Sequence, residues 1–290
     1  MKMQKRLLAS SFQSLRLTPL LLKLQQCCIP GGYIRAINYH GVSAESAGNF
    51  ERQLAYYAEN FTGVSSADLD NFFRLRRWSK KRPGLIISFD DGLSSNYSVA
   101  APLLDKYGFN GWFFVPVDFV AAPPSEQISF ARDHLIRPDR TSSKAERAAM
   151  SWDELRDLDR RSHVIGCHTR SHLRMVPELS GSVLKNEICT GKAVLEEELG
   201  HVCDCYAWVG GEEWAYTSDA ARMIREAGYK YSFTTNALPI TCKNDPHQLG
   251  RNNVESDWPL SMASFELSGF QDLRYTPKRR RVARIIQTPG

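Results

Sequence analysis

Short apolar runs alternate along this chain with stretches of helical spacing. After the breaker Pro30-Gly31-Gly32, residues 33–39 read as a strand ending at His40-Gly41. Phe50, Leu54, Tyr57 and Ala58 fall at helical spacing, which predicts a helix over 49–60. Pro83-Gly84 opens the continuous apolar run 85–89, the pattern of a strand buried on both faces. A helix-like stretch follows at 97–107, with Pro102 awkward inside it, and 111–115 is the next strand. Residues 121–149 are polar and irregular and read as an inserted loop or short helices. Ser151 with Glu154 three residues on has the form of a capping box. Strands at 163–167, 206–209 and 229–234 alternate with helices at 178–199 and 217–227. The sequence contains no internal repeat and no low-complexity tract.

Strands alternating with helices imply a mostly parallel sheet of six to eight strands, open or closed into a barrel. In either form, ligands sit at the C-terminal ends of the strands. The 290 residues suit one large domain or two small ones. Their 42% hydrophobic and 24% charged content is that of a soluble globular protein rather than a disordered one. No run approaches the roughly 18 apolar residues of a membrane span.

The net charge of +5 is unevenly placed. Residues 1–24 carry +5 and residues 276–290 another +5, so the intervening chain carries −5. Basic ends suit acidic lipid headgroups as well as plain solvation, and there is no domain-wide footprint for nucleic acid. Gln13, Arg16, Pro19 and Lys23 interrupt any signal-peptide core, whereas Leu8, Phe12 and Leu15 can share a helical face that lies on a membrane. The seven cysteines form no disulfide framework and read as free thiols. The expectation is a cytoplasmic chain with peripheral contact to anionic membrane through its basic termini.

Two polar clusters lie directly after predicted strands. The first is Ser88-Phe89-Asp90-Asp91-Gly92 and the second is His168-Thr169-Arg170-Ser171-His172. Alone, the first is also good turn chemistry. A His pair four residues apart is weak evidence for a metal on its own and lacks the Glu of the helical zinc-protease motif. Taken together, both clusters project from one rim of one sheet. One Asp plus two His makes a three-ligand catalytic site for a zinc-like ion, leaving the neighbouring Asp as a base for an activated water.

These motifs resemble the first two of the polysaccharide deacetylases (the NodB homology domain, carbohydrate esterase family 4). Supporting landmarks are Asn38-Tyr39-His40-Gly41-Val42, the strand at Trp112-Phe113-Phe114-Val115, Met150-Ser151-Trp152-Asp153-Glu154-Leu155 and Ile224-Arg225-Glu226-Ala227-Gly228-Tyr229. The resemblance spans roughly residues 33–270. It implies an α/β fold, a single-domain distorted (β/α) barrel of about seven strands. It also implies metal-dependent removal of acetyl groups from N-acetylhexosamine units of a polysaccharide or its precursor.

By position, Asp90 is the implied base, and Asp91, His168 and His172 the implied ligands of one divalent ion. Zinc is the expected ion, with Co2+, Ni2+ or Mn2+ as substitutes. The family's acid is often a His in a C-terminal apolar strand. Here the corresponding stretch is Ser264-Phe265-Glu266-Leu267, with no His after His247. A subgroup with an N-terminal Tyr-His element points to His40 instead, which is otherwise a buried structural histidine.

The third motif lacks its Pro, leaving Trp208 as a pocket wall or a core residue. Arg251 resembles an arginine that orients the base, or is an ordinary surface arginine. The expected organisation is a basic segment over 1–30, the deacetylase-like domain over 31–275 and a basic tail over 276–290. The competing readings are an O-acetyl esterase, a non-sugar amidase and an inactive carbohydrate-binding scaffold.

Overall fold

The structure, a computed structural model, describes residues 8–12, 17–138 and 147–287. Leu15, most of the basic N-terminal residues and part of the 121–149 insertion lie outside the described residues.

The strands run in chain order as β1 (Ile34–Tyr39), β2 (Thr62–Gly63), β3 (Gly84–Phe89), β4 (Gly111–Val115) and β5 (Val164–Cys167). They continue as β6 (Cys205–Ala207), β7 (Tyr231–Thr234), β8 (Leu249–Gly250) and β9 (Asn252–Asn253). All ladders between them are parallel, in the order β8-β7-β6-β5-β4-β3-β1-β9, with the short β2 added beside β3. β8 and β9 are two halves of one stave interrupted at Arg251. The first half pairs with β7 and the second with β1, which closes the sheet. Counted this way the barrel has seven staves, and helices wrap its outside.

Period-2 alternation divides the strand residues into two cores. Ile34, Ala36, Ile86, Trp112, Phe114, Cys205, Ala207, Phe233 and Leu249 pack together inside the barrel. Ile37, Leu85, Ile87, Phe113, Ile165, Cys167 and Tyr206 face outward against Leu54, Leu104, Leu155, Leu195 and Ile224 of the surrounding helices. Going up the inward set toward the C-terminal ends, the side chains turn polar: Asn38, Ser88, Asp90, His168 and Arg251. Gly166 has the same parity. A Cβ there would sit 2.6 Å from the Phe114 ring, so the missing side chain is what lets Phe114 fill the barrel.

Local signals explain the helices. Ser151 caps Trp152–Arg160 with the reciprocal Glu154 box that the sequence predicts. The awkward Pro102 is accommodated because a π-turn, Asn96–Ala100, precedes it. The α-helix restarts at Ala101–Lys106, where Pro occupies the first turn and no amide is missed.

Two expectations differ from the structure. The stretch Ser264-Phe265-Glu266-Leu267 is not a strand but part of the helix Leu260–Leu267, which is buried nearly all round. The final stave is Leu249–Asn253. The basic run from 276 is not a free tail through residue 287. It belongs to the helix Phe270–Gln287, anchored by buried Val282 and Ile286, by an Arg281–Glu213 ion pair and by buried Asp272 against Arg35.

Candidate active site

Strand register assembles the site. Tyr39 stands opposite Phe89 in the β1–β3 ladder, so the next residues, His40 and Asp90, leave the sheet side by side. The Asp90 amide still donates to the Tyr39 carbonyl at 2.9 Å. Val115 stands opposite Cys167, and the His168 amide donates to the Val115 carbonyl at 3.0 Å, carrying His168 to the same rim. There a cavity of about 920 Å³ is lined by His40, Asp90, Asp91, His168 and His172, among others.

Asp91 Oδ1 lies 3.1 Å from His172 Nε2 and 3.7 Å from His168 Nε2. Among the described residues this trio forms the one group of metal-type donors within 4.8 Å of one another. The outer nitrogens are also fixed. His168 Nδ1 lies 2.8 Å from the Ala207 carbonyl and His172 Nδ1 lies 2.6 Å from the His134 carbonyl. A carbonyl only accepts, so each Nδ1 carries a proton. A neutral imidazole then presents its Nε2 lone pair on the Asp91 side, whereas a protonated His172 donates from Nε2 to Asp91. Three oriented donors of this kind fit a zinc-type ion.

The adjacent carboxylate is held differently. Arg251 donates from both terminal nitrogens to Asp90, at 2.7 Å to Oδ1 and 2.9 Å to Oδ2. It also donates to Asn38 Oδ1 and Ser88 Oγ at 3.1 Å each. Its guanidinium lies over the Phe114 ring, 5.2 Å from the centroid. At 0% exposure it is not a surface arginine but a charge built into the barrel's interior.

Electrostatics follow this partition. Burial alone raises the Asp90 carboxyl, but Arg251, His168 and the Arg251 hydrogen bonds outweigh it, and the group sits below the ordinary carboxylate range. Asp91 is also buried, yet the His172 hydrogen bond and the nearby imidazoles hold it well below that range. Burial pushes His168 down to about 4. At His172 burial also lowers, but the Asp91 hydrogen bond and charge, the His134 carbonyl and the Asp90 charge together outweigh it and raise the group. Both acids are therefore ionised at neutral pH.

The loop carrying the histidines is clamped by residues the sequence did not single out. Buried Glu187 accepts from the Ser171 amide at 2.8 Å and from the Ser171 hydroxyl at 2.7 Å. Arg170 donates to Asp118 and Asn186, and Thr169 Oγ1 accepts from the Leu173 amide. Asp91, Leu135, Thr169 and His172 all have positive φ, whereas only two other described non-glycine residues do. Backbone strain is thus concentrated at the site, held by these contacts. Only the spacing of polar residues could have signalled the clamp, and Glu187 is one of several acids on its helical stretch.

Two further candidates separate. His40 is not buried: its side chain is 42% exposed, lines the cavity and lies 3.9 Å from Glu255. Trp208 has the outward parity of Tyr206. It packs on Tyr206 and Tyr216 in the outer core and does not line the cavity, so its reading as a pocket wall is corrected to core packing.

A family model described as polysaccharide deacetylase matches residues 79–232. Among curated proteins none matches the sequence. Several solved structures share the fold. IcaB from Ammonifex degensii is 20% identical, with TM-score 0.65 over 83% of this chain and 98% of that one. The Streptococcus pyogenes deacetylase PplD in complex with acetate is 17% identical, with TM-score 0.62 over 81% and 96%. The BpsB deacetylase domain from Bordetella bronchiseptica is 16% identical, with TM-score 0.61 over 78% and 97%. With the matched segment running from just before β3 into β7, and so through both polar motifs, the chain belongs to the polysaccharide deacetylase family, hydrolases of amide bonds.

Proposed function

We propose that this chain removes acetyl groups from N-acetylhexosamine units of a polysaccharide or its precursor. In this reading Asp91, His168 and His172 hold one divalent cation, with zinc the best match to the donor set. The observation that carries it is the division of two adjacent carboxylates, one clamped by Arg251 and the other facing two pre-oriented imidazole nitrogens. When bound, such an ion supplies Lewis acidity toward the amide carbonyl and eases ionisation of water.

The chain's own residues do the remaining work. Asp90, ionised and fixed by Arg251, takes the proton from the attacking water. Its Oδ2 lies 3.9 Å from His168 Nε2, so it faces the same point as the ligand set. Arg251 keeps the carboxylate in one orientation and leaves each oxygen a free lone pair. Water oxygen bonds to the carbonyl carbon, the C–N bond breaks, and protonated His40 gives its proton to the departing nitrogen, yielding acetate and a free amine. His40 suits this role because it lines the cavity and is partly exposed there, beside Asp90 at the end of its strand.

The test is acetate release from N-acetylglucosamine oligomers beside O-acetylated sugars and simple amides. Faster turnover of the N-acetylated glycan, lost in Asp90→Asn and sharply reduced in His40→Ala, is expected. Preference for the esters would replace this reading with an O-acetyl esterase, and tight glycan binding without turnover would replace it with a scaffold.

A further inference from the structure

Eleven large hydrophobic side chains are exposed among the described residues, and five of them, Leu8, Leu20, Leu24, Phe270 and Leu273, fall in three abutting segments. Residues 8–12 are helical, and Phe12 packs edge-on against Phe265 and Phe270 at 4.7 and 5.1 Å between ring centroids. The helix Leu17–Cys28 buries Thr18 and Leu22. From the same side, Gln25 donates to the Ser268 carbonyl at 2.5 Å and accepts from Arg35. The first turn of Phe270–Gln287 follows directly. The segment does carry an amphipathic helix, but Phe12 faces the protein, whereas Leu20, Leu24 and Leu273 face outward at 62%, 55% and 77% exposure.

Charge accompanies this apolar face. Exposed Lys23 lies between Leu20 and Leu24 and has no ion-pair partner among the described residues. Exposed Arg274 follows Leu273. No Asp or Glu precedes Glu45 in the sequence and none follows Asp272, while Asp272 itself is turned inward onto Arg35. An apolar strip accompanied by cations, on segments whose one acid, Asp272, is turned inward, matches the interface of a negatively charged bilayer: leucines enter the acyl boundary and lysine and arginine meet the headgroups. A partner protein surface would need acids aligned to both segments, whereas a bilayer supplies them wherever the chain lands.

We propose that Leu20, Leu24, Phe270 and Leu273, with Lys23 and Arg274, form a docking face for an anionic phospholipid bilayer. Trp258, which lines the catalytic cavity, packs in the same cluster as Ala9, Phe12 and Phe265. One wall of the cavity is thereby packed against the segments that carry the docking face. The inference does not depend on the deacetylase reading, and activity on a soluble oligosaccharide reports that reading separately.

The experiment is co-sedimentation of the full chain with phosphatidylcholine vesicles, with and without phosphatidylglycerol, at low and high salt. Binding that needs the anionic lipid and weakens with salt is expected. Leu20→Asp with Leu24→Asp should reduce it about tenfold or more, since both apolar anchors become charges. Val202→Asp, at an exposed position outside these segments, should leave it unchanged. Hydrogen exchange on the unsubstituted chain should show protection of residues 17–28 and 270–274 on adding anionic vesicles, which keeps the test independent of how the variants fold. The proposal is overturned by a chain that stays in the supernatant, by equal binding of the double variant, by protection elsewhere, or by a concentration-dependent dimer that the double variant abolishes, which would make a second copy the occupant.

Discussion

Replacing Arg251 by Leu isolates the interaction that separates the two adjacent carboxylates. The two charges are buried and joined by bonds of 2.7 and 2.9 Å. At a charge separation of about 4 Å and an effective dielectric near 20, their attraction is about 4 kcal/mol. Removing one member of a buried pair leaves the other uncompensated, at a cost of about 3–5 kcal/mol. In the parent chain Asp90 is held below its ordinary range, so its stabilising contribution is full above the unfolded carboxylate value and is lost as pH falls through the folded one.

In Arg251→Leu, burial and the neighbouring Asp91 push Asp90 up instead, so the sign reverses and stability falls as pH rises. The stability gap between the two proteins should therefore widen from acid to neutral pH, as read by urea unfolding at a series of pH values. The acid limb of the activity profile should move upward. At neutral pH the rate should fall by about 10²- to 10⁴-fold, the share a general base supplies. Arg251→Lys should recover only part of this, because an ammonium cannot reproduce the two-pronged contact. A stability gap independent of pH together with an unmoved acid limb would refute the reasoning.

Three further outcomes follow from the same structure. Glu187→Ala frees the Ser171 amide and hydroxyl, so metal affinity by competitive chelator titration should fall by about 10- to 100-fold with the fold intact by circular dichroism. Gly166→Ala places a methyl 2.6 Å from the Phe114 ring and should destabilise by about 1–3 kcal/mol in urea unfolding; an unchanged midpoint would mean that Phe114 is free to move. Asp245 is held down at about 2, chiefly by the His247 side chain and also by the His247 amide and Arg225, against the effect of burial. Its contribution, on the order of 1 kcal/mol after solvent screening, is present above pH 4 and lost on acidification toward pH 2, so Asp245→Asn should flatten acid denaturation in that window.

Legibility in the sequence followed locality. Ser88–Gly92 and His168–His172 are contiguous motifs at strand ends, and the parallel ladders bring them together without long-range detail. The Ser151–Glu154 cap was equally local. The closing stave was harder to see, because it is split at Arg251 into two pairs of residues too short for any periodic signal. Arg251, at that break, has the inward parity of Leu249, so its burial was invisible until the stave was known. Trp208 was open between wall and core because its face depends on parity within a three-residue strand. Ser264–Leu267 is apolar enough for a strand but lies within a helix buried on all sides, where periodicity carries no information. The carbonyls of His134 and Ala207 that orient the imidazoles belong to the backbone and leave no trace in side-chain pattern.

The most direct measurement is metal content per chain in three proteins purified alike: the unsubstituted chain, Asp90→Asn and Asp91→Asn. The account predicts about one divalent ion in the first two and little in the third, with acetate release confined to the first. An ion retained by Asp91→Asn and lost from Asp90→Asn would exchange the two carboxylates' roles and contradict it.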